Sequence, residues 1–333
     1  MATGGRPRPR RKISLNMGIT RQQALDCFAS DDLIGIGMEA DALRRRLHPE
    51  AVVGYTITRP LDLSSPLDAA LASVRKSLAM GATGLILQAD VQREPHLAHY
   101  ERLLSGVKRH FPGIWLHGLA ATQILTLASA AGVSLRDALA RLQAAGLDSI
   151  DSYAVILDDE IRSHLAPENS SSAAWISVHR AAHQLGIGSS ASMVFGVGET
   201  PEQRVNHLEI LRQLQQDSGS FLSFTPLAYQ SSLGIPGVPP GPEPTAVEYL
   251  TTLAVSRLYL DNIPHIQGSW PNQGTKVLQM SLRFGSDDVG SVQLEENLGK
   301  PGGASEEELR RIIREAGFRP VERDIPYHTM FLN

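Results

Sequence analysis

Cysteine is almost absent from this chain, which contains a single cysteine among 333 residues. One cysteine, Cys27, excludes an internal disulfide and any zinc site built from several thiolates. Its apolar neighbours in a predicted helix favour a small buried side chain over a reactive thiol. The chain also lacks a run of 18 apolar residues, so no membrane-spanning helix is expected.

Strong charge and export signals are missing as well. The chain has 31 Lys and Arg against 35 Asp and Glu, and a net charge of −4 gives no reason to expect nucleic acid as a partner. Residues 1–18 are basic and rich in Gly and Pro, which predicts a disordered tail before one domain at 19–333. No apolar signal-peptide segment follows that start, so we expect a cytoplasmic protein.

Several well-known sequence motifs are absent too. No Gly-x-Gly-x-x-Gly opens a helix after a strand, and neither a Walker A motif nor His-Glu-x-x-His occurs. No set of His, Asp and Glu has a spacing typical of a metal site. The sequence therefore predicts no metal centre and none of the common nucleotide-binding loops.

What is present is an alternation of strand and helix patterns, repeated at least six times. This alternation predicts an α/β fold with a parallel sheet, and the length favours a complete or partial (β/α) barrel. Val52–Thr58 is predicted as the first strand, and Arg59–Pro66 as a loop broken by proline. Ile263–Trp270 is predicted as a late strand, and Gly285–Gly290 as a loop.

Ligands of parallel barrels lie at the carboxyl ends of the strands. Three residues predicted there, Asp90, His117 and Asp151, are candidates for acid–base catalysis. The alternatives are a hydrogen-bonded structural histidine and aspartates that cap the following helices. Trp270 could stack on a ring or pack on the core. The candidate ligand-binding residues are Gln88, Tyr153, Glu199, Gln230, Asn262, Gln267, Trp270, Gln273, Glu295, Glu296 and Asn297.

Four stretches carry a resemblance to a known family. They are RRRLHPE at Arg44–Glu50, AGLDSI at Ala145–Ile150, MVFGVGET at Met193–Thr200, and the long segment LDNIPHIQGSW…LRFGSDDVGS…EEN at Leu260–Asn297. In these the chain resembles the radical SAM enzymes of the futalosine route to menaquinone. That group includes dehypoxanthine futalosine cyclase, aminofutalosine synthase and the FO synthase subunits. The resemblance implies a radical SAM-type partial (β/α) TIM-like barrel with a C-terminal extension, about 261–333, that closes the mouth.

The resemblance also implies a [4Fe–4S] cluster and S-adenosylmethionine. The family holds its cluster with Cys-x-x-x-Cys-x-x-Cys after the first strand, where this chain has Arg59-Pro60-Leu61-Asp62-Leu63. One thiolate cannot hold a cubane, so we expect no iron–sulfur cluster and no required cofactor. S-adenosylmethionine stays an open alternative, although its reductive cleavage would lack an electron source.

Three turns on the family's cofactor side are also altered. Gln88-Ala89-Asp90 stands where relatives carry Gln-Gly-Gly, and Ala120–Gln123 stands where they carry Ser-Pro-Pro-Glu. Asp151–Val155 replaces a Gly-rich turn that ends in Ala-Glu. Two carboxylates are lost there, and Asp90, Asp151 and the Tyr153 phenol are gained. The cofactor side therefore differs, while the C-terminal stretch is retained.

Two functions of different class remain open. The first is a cluster-free homologue that binds a nucleoside-like or aromatic-acid molecule at the barrel mouth, with or without acid–base chemistry. The second is a non-catalytic paralogue that partners a cysteine-complete cyclase. A homodimer is a further candidate assembly, and the resemblance implies a role in menaquinone-related metabolism.

Overall fold

The computed structural model describes residues 18–151, 153–165, 171–231, 234–235, 237–238, 241–292 and 304–329. The predicted tail, apart from Gly18, lies outside these residues, and so do Glu295, Glu296 and Asn297. Within the described residues no helix is both long and apolar enough to span a lipid bilayer.

Strands and helices alternate along most of the described chain. The strands are β1 Val52–Thr56, β2 Thr58–Asp62, β3 Gly84–Gln88, β4 Trp115–Gly118, β5 Ser149–Ile150, β6 Gly188–Phe195, β7 Phe221–Ala228, β8 His265–Ile266, β9 Asp288–Ser291 and β10 Arg319–Glu322. The helices are α1 Arg21–Ala29, α2 Leu33–Leu47, α3 Leu67–Ala79, α4 Leu97–His110, α5 Ala121–Ala131, α6 Leu135–Ala145, α7 Asp159–Leu165, α8 Ser172–Gln184, α9 Pro201–Ser218, α10 Ala246–Tyr259, α11 Trp270–Gln273, α12 Thr275–Ser281 and α13 Glu306–Glu315.

All the paired strands are parallel and close into a barrel. Seven strands form one sheet in the order β2-β3-β4-β5-β6-β7-β8, and a second sheet has the order β10-β1-β9. The chain runs from β1 almost directly into β2, and Gln267, after β8, pairs with Asp288 of β9. These two connections join the sheets, so the predicted α/β parallel barrel is confirmed.

The predicted loop at Arg59–Pro66 is wrong in its first half. Residues Thr58–Asp62 form β2, which pairs with β3 along its whole length. Proline is tolerated in this strand because β2 lies at the edge of the seven-stranded sheet, where the missing N–H of Pro60 removes no ladder bond. The chain therefore extends as a strand through the position where the family resemblance would place a cluster loop.

The predictions around β8 and β9 also need correction. The strand predicted at Ile263–Trp270 shortens to the two residues of β8, and the loop predicted at Gly285–Gly290 contains most of β9. Asp288 is buried within β9 because both its carboxylate oxygens accept hydrogen bonds from the Arg323 guanidinium. A local pattern does not reveal a charge partner 35 residues away.

Two helices begin with a reciprocal capping box. At α9 the Thr200 side chain accepts a hydrogen bond from the Gln203 amide, and the Gln203 side chain accepts one from the Thr200 amide. Pro201 stands at the first helical position, where its missing N–H has no partner to lose. The same reciprocal box, made by Thr20 and Gln23, begins α1.

The C-terminal segment closes the amino-terminal end of the barrel. A substituent on Gly84, the first residue of β3, would meet the Ile325 side chain at 2.4 Å. Tyr327 stacks on His265 of β8, with ring centroids 3.8 Å apart. Residues 323–327 thus form a floor beneath the strands, on the side opposite the predicted mouth.

Candidate active site in the barrel interior

Two cavities occupy the barrel interior and share part of their lining. The outer cavity has a volume of about 400 Å³ and the inner one about 350 Å³. Both volumes lie in the range of small-molecule sites. The two cavities share the lining residues Thr58, Thr225, Leu227, Gln267 and Ser291.

Hydroxyl groups dominate the polar lining of the inner cavity. They come from side chains that point inward at alternate positions of several strands. This lining was missed from the sequence, although the serine-rich start of β6, GSSAS, carried a signal. The inward hydroxyl residues are Thr56, Thr58, Ser190, Ser192, Ser223, Thr225 and Ser291.

His117 lines the inner cavity and bonds to Ser149, which also accepts a hydrogen bond from Trp115. The Trp115 Nε1–H, which can only donate, bonds to Ser149 Oγ at 2.8 Å. Ser149 Oγ lies 2.8 Å from His117 Nδ1 and can direct its hydroxyl hydrogen there, which leaves the ring proton on Nε2. Among the described residues nothing bonds to His117 Nε2, so this N–H is available to a ligand.

Burial lowers the pKa of His117, and the nearby Asp151 carboxylate opposes that shift. The imidazole is therefore neutral at pH 7. Asp151 follows β5 and lines the same cavity, and its Oδ1 accepts a hydrogen bond from the Tyr153 amide at 3.0 Å. Burial also raises the pKa of Tyr153, whose ring lines the cavity while 42% of the residue stays exposed.

Gln267 lies between the two cavities and lines both. Its backbone N–H donates a hydrogen bond to the Phe224 carbonyl, which holds the Gln267 backbone against β7. A substituent on Gly290 would approach the Gln267 Nε2 within 2.6 Å, so a glycine at 290 makes room for the carboxamide. No hydrogen-bond partner for that carboxamide occurs among the described residues, and its groups are available to a ligand.

The outer cavity is lined by Arg59 and Trp270, and both are largely buried. Trp270 is 1% exposed and packs in a second hydrophobic cluster with Leu278 and Leu282. This burial agrees with the packing role that the sequence left open and leaves little of its face for a ligand. Arg59 donates from Nη1 to the Thr58 carbonyl at 2.9 Å.

Five predicted site residues line the cavities, namely His117, Asp151, Tyr153, Gln267 and Trp270. The linings do not include Gln88, Asp90, Glu199, Gln230 or Gln273 among the described residues. Asp90 and Asp151, two of the three predicted acid–base residues, are therefore not brought together in a cavity.

Two of those residues have structural partners instead. The Asp90 Oδ1 accepts the Arg93 amide and caps the turn that follows β3. The Glu199 oxygens accept the amides of Gly196 and Val197, and Arg204 donates to the same carboxylate.

Asn262 lies at the opposite end of the barrel. Because β8 begins only at His265, Asn262 precedes the strand rather than following it. Its side-chain amide donates to the Arg212 carbonyl at 2.9 Å. This placement corrects the predicted role of Asn262 at the mouth.

Comparison with known proteins identifies the family. Residues 218–332 match the family model described as the CofH/MqnC C-terminal region. The chain is 32% identical to a cyclic dehypoxanthine futalosine synthase of Streptomyces coelicolor, over 95% of this chain and 86% of the relative. It is 36% identical to an aminodeoxyfutalosine synthase of Thermus thermophilus, over 79% of this chain and 73% of the relative. The chain belongs to the CofH/MqnC family.

Solved structures agree with this assignment at the level of the fold. Methylornithine synthase (PylB) superposes with a TM-score of 0.67 at 15% identity, covering 92% of this chain and 95% of that chain. The hydrogenase maturase HydG gives a TM-score of 0.66 at 14% identity, covering 91% and 73%. This CofH/MqnC family member therefore has the radical SAM-type barrel that the sequence resemblance implied.

The donor set does not fit the iron–sulfur cluster that the family resemblance implies. The single cysteine of the chain, Cys27, lies in α1, a helix that packs against α9 and α10. Burial raises the pKa of the Cys27 thiol, which disfavours the thiolate that iron would need. Neither cavity has a thiol in its lining.

Proposed function

We propose that this CofH/MqnC family member binds a small, hydroxyl-rich molecule with an aromatic or heterocyclic ring, and that it does so without a [4Fe–4S] cluster. The observation that carries the proposal is the pair of connected cavities, each large enough for a small ligand. Their lining offers Ser and Thr hydroxyls, one carboxamide and one neutral imidazole. These groups pair well with ribose hydroxyls and ring nitrogens.

The names of the relatives support this ligand class. They include futalosine derivatives and, for a Methanopyrus kandleri protein that is 36% identical over 75% of this chain, a ribitylaminouracil and tyrosine. Each of these molecules joins a polyhydroxy or polar chain to a ring. The mixed hydroxyl and apolar lining of the inner cavity, with Leu222, Leu227 and Ile86, suits such a molecule.

The cluster-free part of the proposal follows from the absence of thiol ligands. A cubane in this family needs three cysteine thiolates, and the chain has one, placed in an outer helix. Reductive cleavage of S-adenosylmethionine would then have no electron donor, so radical chemistry is not proposed. Binding of S-adenosylmethionine without cleavage is one of the alternatives that the experiment should examine.

An acid–base enzyme is a second candidate, favoured by one observation. His117 and Asp151 both line the inner cavity, and the neutral His117 carries its proton on Nε2. With that proton the imidazole can act as a hydrogen-bond donor to a ligand oxygen, and Asp151 can accept a proton. Turnover of a bound nucleoside would select this candidate over a binding protein or a partner of a cysteine-complete cyclase.

Native mass spectrometry of the purified chain tests the proposal, followed by calorimetry with adenosine, dehypoxanthine futalosine and S-adenosylmethionine. Gln267→Ala should weaken binding by about 1 kcal/mol, roughly fivefold in Kd, because the ligand loses the carboxamide. The matched control is Gln213→Ala on the exposed face of α9, which should leave Kd unchanged. A chain that retains no small molecule and binds none of the three probes would contradict the proposal.

A further inference from the structure

The barrel floor holds a cluster of potential metal ligands that lies apart from the cavities. His48 follows α2, His265 begins β8, and Asp287 directly precedes β9. These positions lie at the amino ends of the strands, and the cavity linings are made by other residues. The three residues are far apart in the sequence, so their spacing gave no sign of a common site.

The three side chains converge on one carboxylate oxygen. Asp287 Oδ2 lies 2.6 Å from His265 Nδ1 and 3.4 Å from His48 Nε2. The three ligand atoms all lie within 4.8 Å of one another, and the two imidazole rings stack with centroids 5.1 Å apart. We propose that this His48–His265–Asp287 cluster, named here the floor site, binds one divalent transition ion of the Zn²⁺ class.

The ligand atoms need only a small shift to hold such an ion. The ring proton of each histidine moves to its other nitrogen, because His48 Nε2–H now donates to the Pro264 carbonyl and His265 Nδ1–H to Asp287. Ligand atoms about 2.1 Å from a tetrahedral ion lie roughly 3.4 Å from each other, which is the observed His48–Asp287 separation. The His265–Asp287 contact would open by less than about 1 Å. The Pro264 carbonyl oxygen, 2.8 Å from His48 Nε2, or a water molecule would supply the fourth ligand.

The surrounding groups already orient the ligands. Asp287 Oδ1 accepts hydrogen bonds from Arg257 Nη2 at 2.6 Å and from the Ile266 amide at 2.8 Å. Those two bonds leave Oδ2 directed at the imidazoles, as outer partners do in known metal sites. Tyr327 stacks face to face on the His265 ring and holds its orientation.

Access and charge set the expected strength of binding. The side chains of His48 and His265 are 17% and 22% exposed, so an ion can enter from solvent. A donor set of two imidazole nitrogens and one carboxylate oxygen suits Zn²⁺, Co²⁺ and Ni²⁺ better than Mg²⁺ or Ca²⁺. The buried Arg257 charge on the far carboxylate oxygen reduces affinity, so we expect micromolar binding rather than the tight binding of a thiolate site.

Calorimetry and thermal unfolding with Zn²⁺ as the probe test the floor site in the full chain. The expected result is one ion per chain, and a rise in Tm of several degrees that EDTA reverses, because the ion binds only the folded chain. His48→Gln and His265→Gln should each weaken binding at least tenfold. The control His110→Gln, on the exposed end of α4, should bind as the unaltered chain does.

The outcome that overturns the floor site is the absence of Zn²⁺ binding, or equal binding by the two histidine variants and the control. If a variant fails to fold, NMR of the unaltered chain decides instead. One equivalent of Zn²⁺ should shift the ring protons of two histidines, one of them in contact with the Tyr327 ring. Shifts confined to exposed histidines would overturn the site equally.

Discussion

At the scale of single residues, some buried polar side chains hydrogen-bond on both sides and so connect neighbouring parts of the interior. His207 is one of them, since its Nδ1 accepts the Leu157 amide at 3.0 Å and its Nε2–H donates to the Ser192 carbonyl. The first bond requires the neutral imidazole, because a protonated Nδ1 has no lone pair with which to accept the Leu157 amide. Burial lowers the pKa of His207 to about 3, with a hydrogen bond to Ser192 acting in the opposite sense.

This histidine should make the fold sensitive to acid. An unfolded chain takes up the proton near pH 6.5 and the folded chain only near pH 3, so the free energy of unfolding falls as the pH drops below about 6.5. Between pH 7 and pH 5 the loss from His207 is about 2 kcal/mol. In urea unfolding, the free energy of unfolding of His207→Gln should fall between pH 7 and pH 5 by about 2 kcal/mol less than that of the unaltered chain.

The control for this experiment is His164→Gln, which removes an exposed histidine. It should show the full loss of the unaltered chain between pH 7 and pH 5. If His207→Gln also loses as much stability as the unaltered chain, the neutral buried imidazole does not account for acid sensitivity.

The same scale shows what the sequence could predict about the candidate site. His117, Asp151 and Gln267 could be predicted from the sequence because each lies at or just after a strand that the pattern identifies. Asn262 was misplaced because β8 begins three residues after it. The inward hydroxyls were missed because serine and threonine on a strand face are as common on solvent faces, and only the closed barrel turns them inward.

At the scale of elements, local signals determined the helix ends well. The helices α4 and α6 each have a clear apolar face and a defined end, which for α6 is Gly146 in a left-handed conformation. The errors at β2 and β9 both concern strands that local rules disfavour. An edge position permits Pro60 and a distant guanidinium permits Asp288, and neither circumstance is visible locally.

The cap at α9 gives a prediction at this scale. Thr200→Ala removes the side-chain oxygen that accepts the Gln203 amide, so the free energy of unfolding should fall by about 1 kcal/mol. Thr251→Ala is the matched control, since Thr251 lies inside α10 and bonds only to the carbonyl one turn earlier. It should change stability little, because alanine is the better helix former. Equal effects of the two changes in urea unfolding would show that the cap is not important.

At the scale of the whole molecule, the barrel combines a retained family scaffold with an altered cofactor side. The strands enclose two connected cavities, and residues 323–327 close the barrel from below. Where the family resemblance places a cysteine loop, β2 continues as an edge strand. Under the proposed function, this scaffold serves as a binding site whose chemistry does not depend on iron.

Anaerobic reconstitution with iron and sulfide tests that account most directly. The chain is incubated under reducing conditions, desalted, and assayed for bound iron, sulfide and visible absorption. The account predicts far less than one cluster per chain and a flat visible spectrum, with Cys27→Ala giving the same result. Near-stoichiometric iron and sulfide, four of each per folded chain, with the visible absorption of a [4Fe–4S] cluster, would contradict it.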